Sequence, residues 1–206
     1  QPGAADAFAE RWDLRRHRPV IGFVARLAAE KGVEVLVEAM PEILREFPNA
    51  RVVFAGTYQN VLGEAVYAER LRPMLERLGE HWVFTGPLNQ SELTAMYPHC
   101  DVQVVPSLNS TESFGLVQVE AMLHGVPVVA SDLPGVRVPV RRTGMGEIAP
   151  IGDAAGLAAA ILRVLRAREH YVRPRAEIAA HFDLEATLTA YERLFQGEID
   201  AHSRRD

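Results

Sequence analysis

The sequence is poor in features that mark several broad classes of protein. It holds one cysteine, Cys100, among 206 residues. No intrachain disulfide can form, and nothing calls for an oxidising compartment. No apolar run approaches the roughly 20 residues that a membrane helix needs. Lys and Arg number 22 against 27 Asp and Glu, a formal net charge of -5. That balance leaves no broad positive field for nucleic acid. There is no Asp-x-Asp and no histidine pair at helical spacing, so neither a metal nor a cofactor is expected. Internal repeats, low-complexity stretches and a signal-peptide pattern are also lacking. A cytoplasmic location is therefore expected. The first residue is Gln1, which reads as the start of a piece of a longer protein.

What remains is the composition of an ordinary globular domain. Apolar residues make up 48% and charged residues 24%, enough for one full core. Residues 1–18 are polar and mixed, and read as a linker, an N-terminal extension or a short helix. From Pro19 short β-branched runs alternate with amphipathic segments. Strands are expected at 20–25, 51–55, 82–85, 102–105, 126–130 and 146–150. Helices are expected between them, at 32–46, 65–78, 91–97, 116–124 and 136–141. Val33, Leu36, Val37, Met40 and Leu44 keep the helical period, and Phe47-Pro48-Asn49 stops that helix. Asn89 and Glu92 have the spacing of a capping box. The alternation predicts an α/β, Rossmann-like fold: a parallel sheet of about six strands with helices on both faces. Ligands of such sheets bind at the carboxyl ends of the strands. After Asp153 the pattern is wholly helical, at 154–168, 175–181 and 184–198. The last of these carries Leu188, Tyr191, Leu194 and Phe195 on one face, and residues 199–206 form a polar tail.

Two stretches carry chemistry. In Ala25-Arg26-Leu27-Ala28-Ala29-Glu30-Lys31-Gly32, two cations lie between a strand end and a helix start. Helix N–H groups and the helix dipole favour anions there. Arg26 can grip a phosphate with two donors, while Lys31 acts as a point charge. Both cations could equally be solvated loop charges. The second stretch follows Pro106-Ser107, where Glu112 precedes a helix that begins near Phe114 or Gly115 and Glu120 lies within it. Eight residues give about 12 Å of rise at 1.5 Å each, and the rotation lets both carboxylates look to one side. Between them the N–H groups of Phe114, Gly115 and Leu116 are free for phosphate oxygens. A diphosphate with a polyol at each end suits that order, because carboxylates accept from vicinal hydroxyls. The plainer readings are a capping acid for Glu112 and an exposed charge for Glu120. Apolar neighbours Val117, Val119, Ala121 and Met122 count against the second, since an unpaired carboxylate in apolar surroundings is costly.

Together these stretches resemble the retaining glycosyltransferases of family four, which have the GT-B fold. The resemblance rests on Arg26 with Glu30-Lys31-Gly32 and on two glutamates separated by seven residues, Glu112 and Glu120, with Phe114-Gly115 between. It continues in Glu120-Ala121-Met122, Gly125-Val126-Pro127-Val128-Val129 and Ser131-Asp132-Leu133-Pro134-Gly135. It runs from about Pro19 to Phe195.

The resemblance implies a nucleotide-sugar (donor) binding domain over 19–198, one half of a GT-B fold, with a UDP- or GDP-sugar as donor. Arg26 and Lys31 would neutralise the diphosphate, Glu112 would contact the transferred sugar, and Glu120 would hold the ribose. Backbone around Ser113, Phe114, Gly115 and Leu116 would meet phosphate and sugar. Pro87 and Leu88 would border the base, with Leu93 and Tyr97 behind it, and Gly56 and Tyr58 would edge the same cleft. The acceptor site belongs to an N-terminal GT-B domain that residues before Pro19 are too few to form. The final helix would reach across to that half. Peripheral membrane contact would also fall there, and without that half the domain would not complete a transfer.

Two departures stand out: Ala25 occupies a position where the family often has glycine, and the 107–112 loop is longer than its commonest form. Other readings are a nucleotide-sugar-binding module acting with a partner chain, and another enzyme on the same fold, such as a sugar-nucleotide epimerase or a phosphorylase. Those enzymes would want catalytic histidines or a cofactor lysine. Cys100, His99, Trp12 and Trp82 read as packing, His81 and His124 as residues beside turns without partners at useful spacing, Asp132 as a turn former, and Arg137, Arg141 and Arg142 as a solvated helix face.

Overall fold

The computed structural model describes residues 3–183 together with 189, 192, 193, 195 and 196. Six strands, β1 (Val20–Val24), β2 (Arg51–Ala55), β3 (Trp82–Gly86), β4 (Val102–Val105), β5 (Val128–Ser131) and β6 (Gly146–Ala149), form one sheet. All its pairings are parallel, in the order β3-β2-β1-β4-β5-β6. The helices are α1 (Ala4–Arg11), α2 (Val33–Glu46), α3 (Ala65–Leu78), α4 (Gln90–Met96), α5 (Leu116–Leu123), α6 (Val138–Thr143), α7 (Ala154–Arg166), α8 (Arg168–Tyr171) and α9 (Arg175–His181). This is the Rossmann-like sheet that the alternating pattern predicts. The expected helix at 184–198 and the tail fall largely outside the described residues.

Strand side chains alternate between two cores. Ile21, Phe23, Val52, Phe54, Val102, Val104 and Val129 face α2, α3 and α7. Val20, Val53, Ala55, Val105, Val128 and Ala130 face α1, α4, α5, α6 and α9. Burial on both faces is why the strands read as continuous apolar runs.

Segment 1–18 takes the helical of its expected forms. Helix α1 buries Phe8 and Ala9, and Leu14 and His17 beyond it are buried too. The capping box at α4 forms as expected: Asn89 Oδ1 accepts from Glu92 N at 3.0 Å, and Glu92 Oε2 accepts from Asn89 N at 2.9 Å.

Several boundaries shift. Strand β5 starts at Val128, not Val126, because Val126 N donates to Ala121 O and closes the turn after α5. Helix α6 starts at Val138, with Pro139 in its first turn. Helix α7 stops at Arg166, and β6 at Ala149.

The order places β1 between β2 and β4. Connections leave β1 and β4 towards opposite faces, so a crevice opens beyond their carboxyl ends.

Candidate functional site

Two adjoining cavities occupy that crevice and share Val24, Ala25 and Arg26 in their walls. The first, of about 470 Å³, is lined by Arg26, Lys31, Glu112, Ser113, Phe114, Gly115, Leu116 and Val117 as well. The second, of about 250 Å³, adds Ala55, Gly56, Thr57, Pro87, Leu88 and Leu93. One is charged and the other is mainly apolar. A larger groove of about 790 Å³ runs along α1 and α4, past Phe8, Arg11, Gln90, Glu92, Thr94 and Ala95. Its volume exceeds the others, but the crevice unites cations with a helix N-terminus, and chemistry decides between them.

The chain ties the crevice together through backbone. Beyond β1, Leu27 N donates to Thr57 O at 2.7 Å, and Gly56 N donates to Gly86 O at 2.9 Å. A Cβ on Gly56 would stand 1.9 Å from Ala25 O, so only glycine lets the β1 and β2 loops meet there. On the other side, Leu108 N donates to Glu30 O at 2.9 Å. That bond draws the loop after β4 against the loop after β1 and brings Glu112 to Lys31.

Each cation already has a carboxylate. Lys31 Nζ lies 2.7 Å from Glu112 Oε2, with both side chains about one-fifth exposed. Arg26 is paired with Glu30, and Arg26 remains half exposed. Sequence reasoning put Arg26, Lys31 and Glu112 in the site, quoted Glu30 only as part of a motif, and did not foresee these pairings.

Helix α5 starts at Gly115, whose φ of 74° is left-handed, and no side chain caps it. Its first N–H groups therefore open towards Arg26 and Lys31. Gln118, fully buried in the first turn of α5, donates through Nε2 to Phe114 O and to Val136 O, each at 2.9 Å. The Phe114 ring meets Phe182 edge-on at 6.0 Å. Gly135 comes so close that an added Cβ would stand 1.7 Å from Ser113 O. These contacts hold the 113–115 turn in place. Sequence reasoning missed Gln118 and Gly135. The available signal for Gln118 was a polar residue on an apolar helix, two positions before Glu120.

Glu120 lies one turn beyond Leu116 and Val117, on the same side of α5. Its Oε2 accepts from the Tyr97 hydroxyl at 3.1 Å. Tyr97 is fully buried, and neither it nor Glu120 is among the residues that line the two cavities. Burial first, and the Glu120 charge second, hold the Tyr97 hydroxyl protonated far above its usual range. His124, read from sequence as a turn residue without partners, contacts both. Its Nδ1 lies 2.8 Å from Glu120 O, and its ring stacks on Tyr97 at 5.2 Å.

Other expected residues lie elsewhere or act differently. Tyr58 stacks on Phe84 at 4.3 Å, part of the packing against the α2–α3 side rather than of either cavity wall. Asp132 does more than shape a turn: it pairs with Arg137 at 2.8 Å and with Arg141 at 3.7 Å. The Arg137 hydrogen bond holds its carboxyl below the usual range. Arg137 and Arg141 are thus ion-pair partners rather than simply solvated. The Cys100 thiol is buried, and burial pushes it up to about 12. Among the described residues, no group of three His, Cys, Asp or Glu side chains converges as a metal site, and no helix is long and apolar enough to cross a membrane.

Comparison with known proteins places this arrangement in context. Residues 5–180 match the family described as Glycosyl transferases group 1. The phosphatidyl-myo-inositol mannosyltransferase of Mycobacterium leprae is 34% identical over 169 residues, covering 81% of this chain and 43% of that protein. Sucrose-phosphate synthase from Thermosynechococcus elongatus superposes with a TM-score of 0.77 at 29% identity, over 95% of this chain and 49% of that one. Anabaena HepE, solved in complex with UDP and glucose, superposes with a TM-score of 0.81 at 23% identity, over 96% of this chain and 53% of that one. The chain spans about half the length of these proteins.

Proposed function

This chain belongs to the group 1 glycosyl transferases, and from that premise we propose that it is the donor-binding half of a retaining enzyme. That enzyme would transfer a sugar from a nucleoside-diphosphate sugar to an acceptor hydroxyl. The observation that carries the reading is the set of groups at the crevice. Glu112, Lys31 and Arg26 line one cavity with the uncapped start of α5, Glu120 follows one turn further along that helix, and a mainly apolar cavity adjoins. A sugar with its diphosphate, a ribose and a base match those groups.

In this reading the bond from the sugar anomeric carbon to the β-phosphate oxygen breaks. The acceptor oxygen bonds to that carbon on the same face, and the acceptor proton passes to the leaving phosphate. Negative charge grows on the diphosphate as the bond lengthens. Arg26, Lys31 and the N–H groups of α5 stabilise it more in the transition state than before it. Glu112, released from Lys31, orients the sugar and favours positive charge at the anomeric carbon. Glu120 holds the ribose, and the cavity at Pro87, Leu88 and Leu93 takes a uracil or guanine.

The acceptor site would lie in the half of the relatives' length that these 206 residues do not span. The chain alone therefore binds donor without transferring it. UDP- and GDP-sugars, titrated into the chain and its Lys31→Ala and Glu120→Ala variants, test the assignment. Weaker binding by both variants supports it, and equal binding by all three proteins overturns it.

A further inference from the structure

Tyr97 offers a second layer to the site. It sits in the turn between α4 and β4, and its ring is fully buried. A buried hydroxyl needs a partner, and the one it has is a carboxylate on the neighbouring helix: Tyr97 donates to Glu120 Oε2 at 3.1 Å. The ring cannot swing away, because His124 stacks against it at 5.2 Å with planes 26° apart. His124 is in turn fixed on α5 by its 2.8 Å contact with Glu120 O. Tyr97, His124 and Glu120 therefore form a closed triangle with two elements at its corners.

We propose that Tyr97 is a positioning residue that sets Glu120 for ribose recognition and touches no ligand itself. The proposal rests on the reading of Glu120 as the ribose ligand. Its physical basis is entropic. A free glutamate in a helix samples several rotamers, and a ligand must select one of them. The hydroxyl pins one oxygen in advance and leaves the remaining acceptor positions of the carboxylate for a 2′- and a 3′-hydroxyl. Burial, and then the Glu120 charge, push the Tyr97 hydroxyl well above its usual range, so it is the donor of this bond near neutral pH.

The test is a ratio. Dissociation constants are measured by calorimetry for UDP and 2′,3′-dideoxy-UDP, and for GDP and 2′,3′-dideoxy-GDP, with the tighter ribonucleotide pair used throughout. Wild type prefers the ribonucleotide. Tyr97→Phe lowers that preference by about three- to tenfold, the range for one net hydrogen bond, and leaves the dideoxy affinity unchanged. In a Glu120→Ala background, Tyr97→Phe has no further effect on the ratio.

An unchanged ratio in Tyr97→Phe overturns the proposal while leaving the ribose role of Glu120 standing. Equal weakening of both nucleotides also overturns it, since Tyr97 would then act on the fold. A wild-type ratio near one overturns the ribose role of Glu120 and takes the proposal with it. Should the Tyr97→Phe chain not fold, His124→Leu reads the same ratio. A reduced ratio then supports the triangle, and an unchanged one overturns it.

Discussion

Lys31 and Glu112 stand 81 residues apart in sequence, and their charged atoms are 2.7 Å apart in the crevice. The pair neutralises the site before any ligand arrives. In the proposed reading, a diphosphate takes Lys31 from Glu112 and so frees the carboxylate beside the sugar position, which would link diphosphate and sugar recognition through one ion pair. Glu112→Gln removes the competitor and a negative charge facing the phosphates. UDP or GDP then binds up to about fivefold more tightly, the range for a partly exposed pair. The extra affinity contributed by an attached sugar falls. Calorimetry with the nucleoside diphosphate and its sugar, on wild type and variant, measures both changes.

Lys31→Ala acts in the opposite direction on the phosphates. It costs about 1–3 kcal/mol of diphosphate affinity, the range for a charged hydrogen bond, and it leaves the thermal midpoint of the free chain little changed. Calorimetry and a melting curve on the same preparation separate the two effects.

Gly135→Ala tests the turn that carries the helix start. The new Cβ would stand 1.7 Å from Ser113 O, and backbone has to give way. Displacing the 113–115 turn misaligns the first N–H groups of α5. Nucleoside diphosphate affinity falls about tenfold or more, as expected for one lost charge-assisted bond. Circular dichroism reports that the helices persist.

Gln118→Leu tests the support beneath it. The buried Val136 carbonyl and the partly buried Phe114 carbonyl lose their shared donor. Stability falls by about 1–3 kcal/mol, the cost of leaving a buried acceptor unsatisfied. Urea denaturation reads this as a lower midpoint with an unchanged slope.

His17 sets a pH dependence of stability. It is buried, and burial first, then the Arg51 charge, lower its pKa from the ordinary 6.5, against the opposing pull of Glu80 and Asp13. The unfolded chain therefore takes up a proton at a pH where the folded chain does not. The stabilisation is fully present above pH 6.5 and is lost as pH falls through the lowered folded value. In His17→Gln this component disappears. Thermal midpoints of both proteins across pH 5–8 give the difference.

Much of this architecture was legible in the sequence, and the reasons are physical. Strands buried on both faces must be apolar runs, so all six were found. Strand ends slipped where the next residue was apolar for another reason, as at Val126, which closes the turn after α5. The charged residues of the crevice were found because two cations near a helix start occur in order with two spaced glutamates, although alone the cations read equally as solvated loop charges. Their pairing was hidden, since Lys31 meets Glu112 only once Leu108 N has joined the two loops. The stacking of Tyr58 on Phe84 was hidden, because an aromatic near a cleft and one packed on a neighbouring ring look alike in sequence. Gln118 and Gly135 act through contacts between distant segments, so a polar residue on an apolar helix and a glycine in a turn motif marked the positions without showing the partners.

The central claim is that the crevice beyond β1 and β4, with Arg26, Lys31 and the start of α5, receives the diphosphate. Amide chemical-shift mapping of the chain during titration with UDP, and separately with GDP, tests it most directly. The account predicts that at least one of them shifts amides of Arg26, Lys31, Ser113, Gly115 and Leu116, with Leu88 responding to the base. Shifts confined to the groove between α1 and α4, or no saturable shift with either nucleotide, would contradict it.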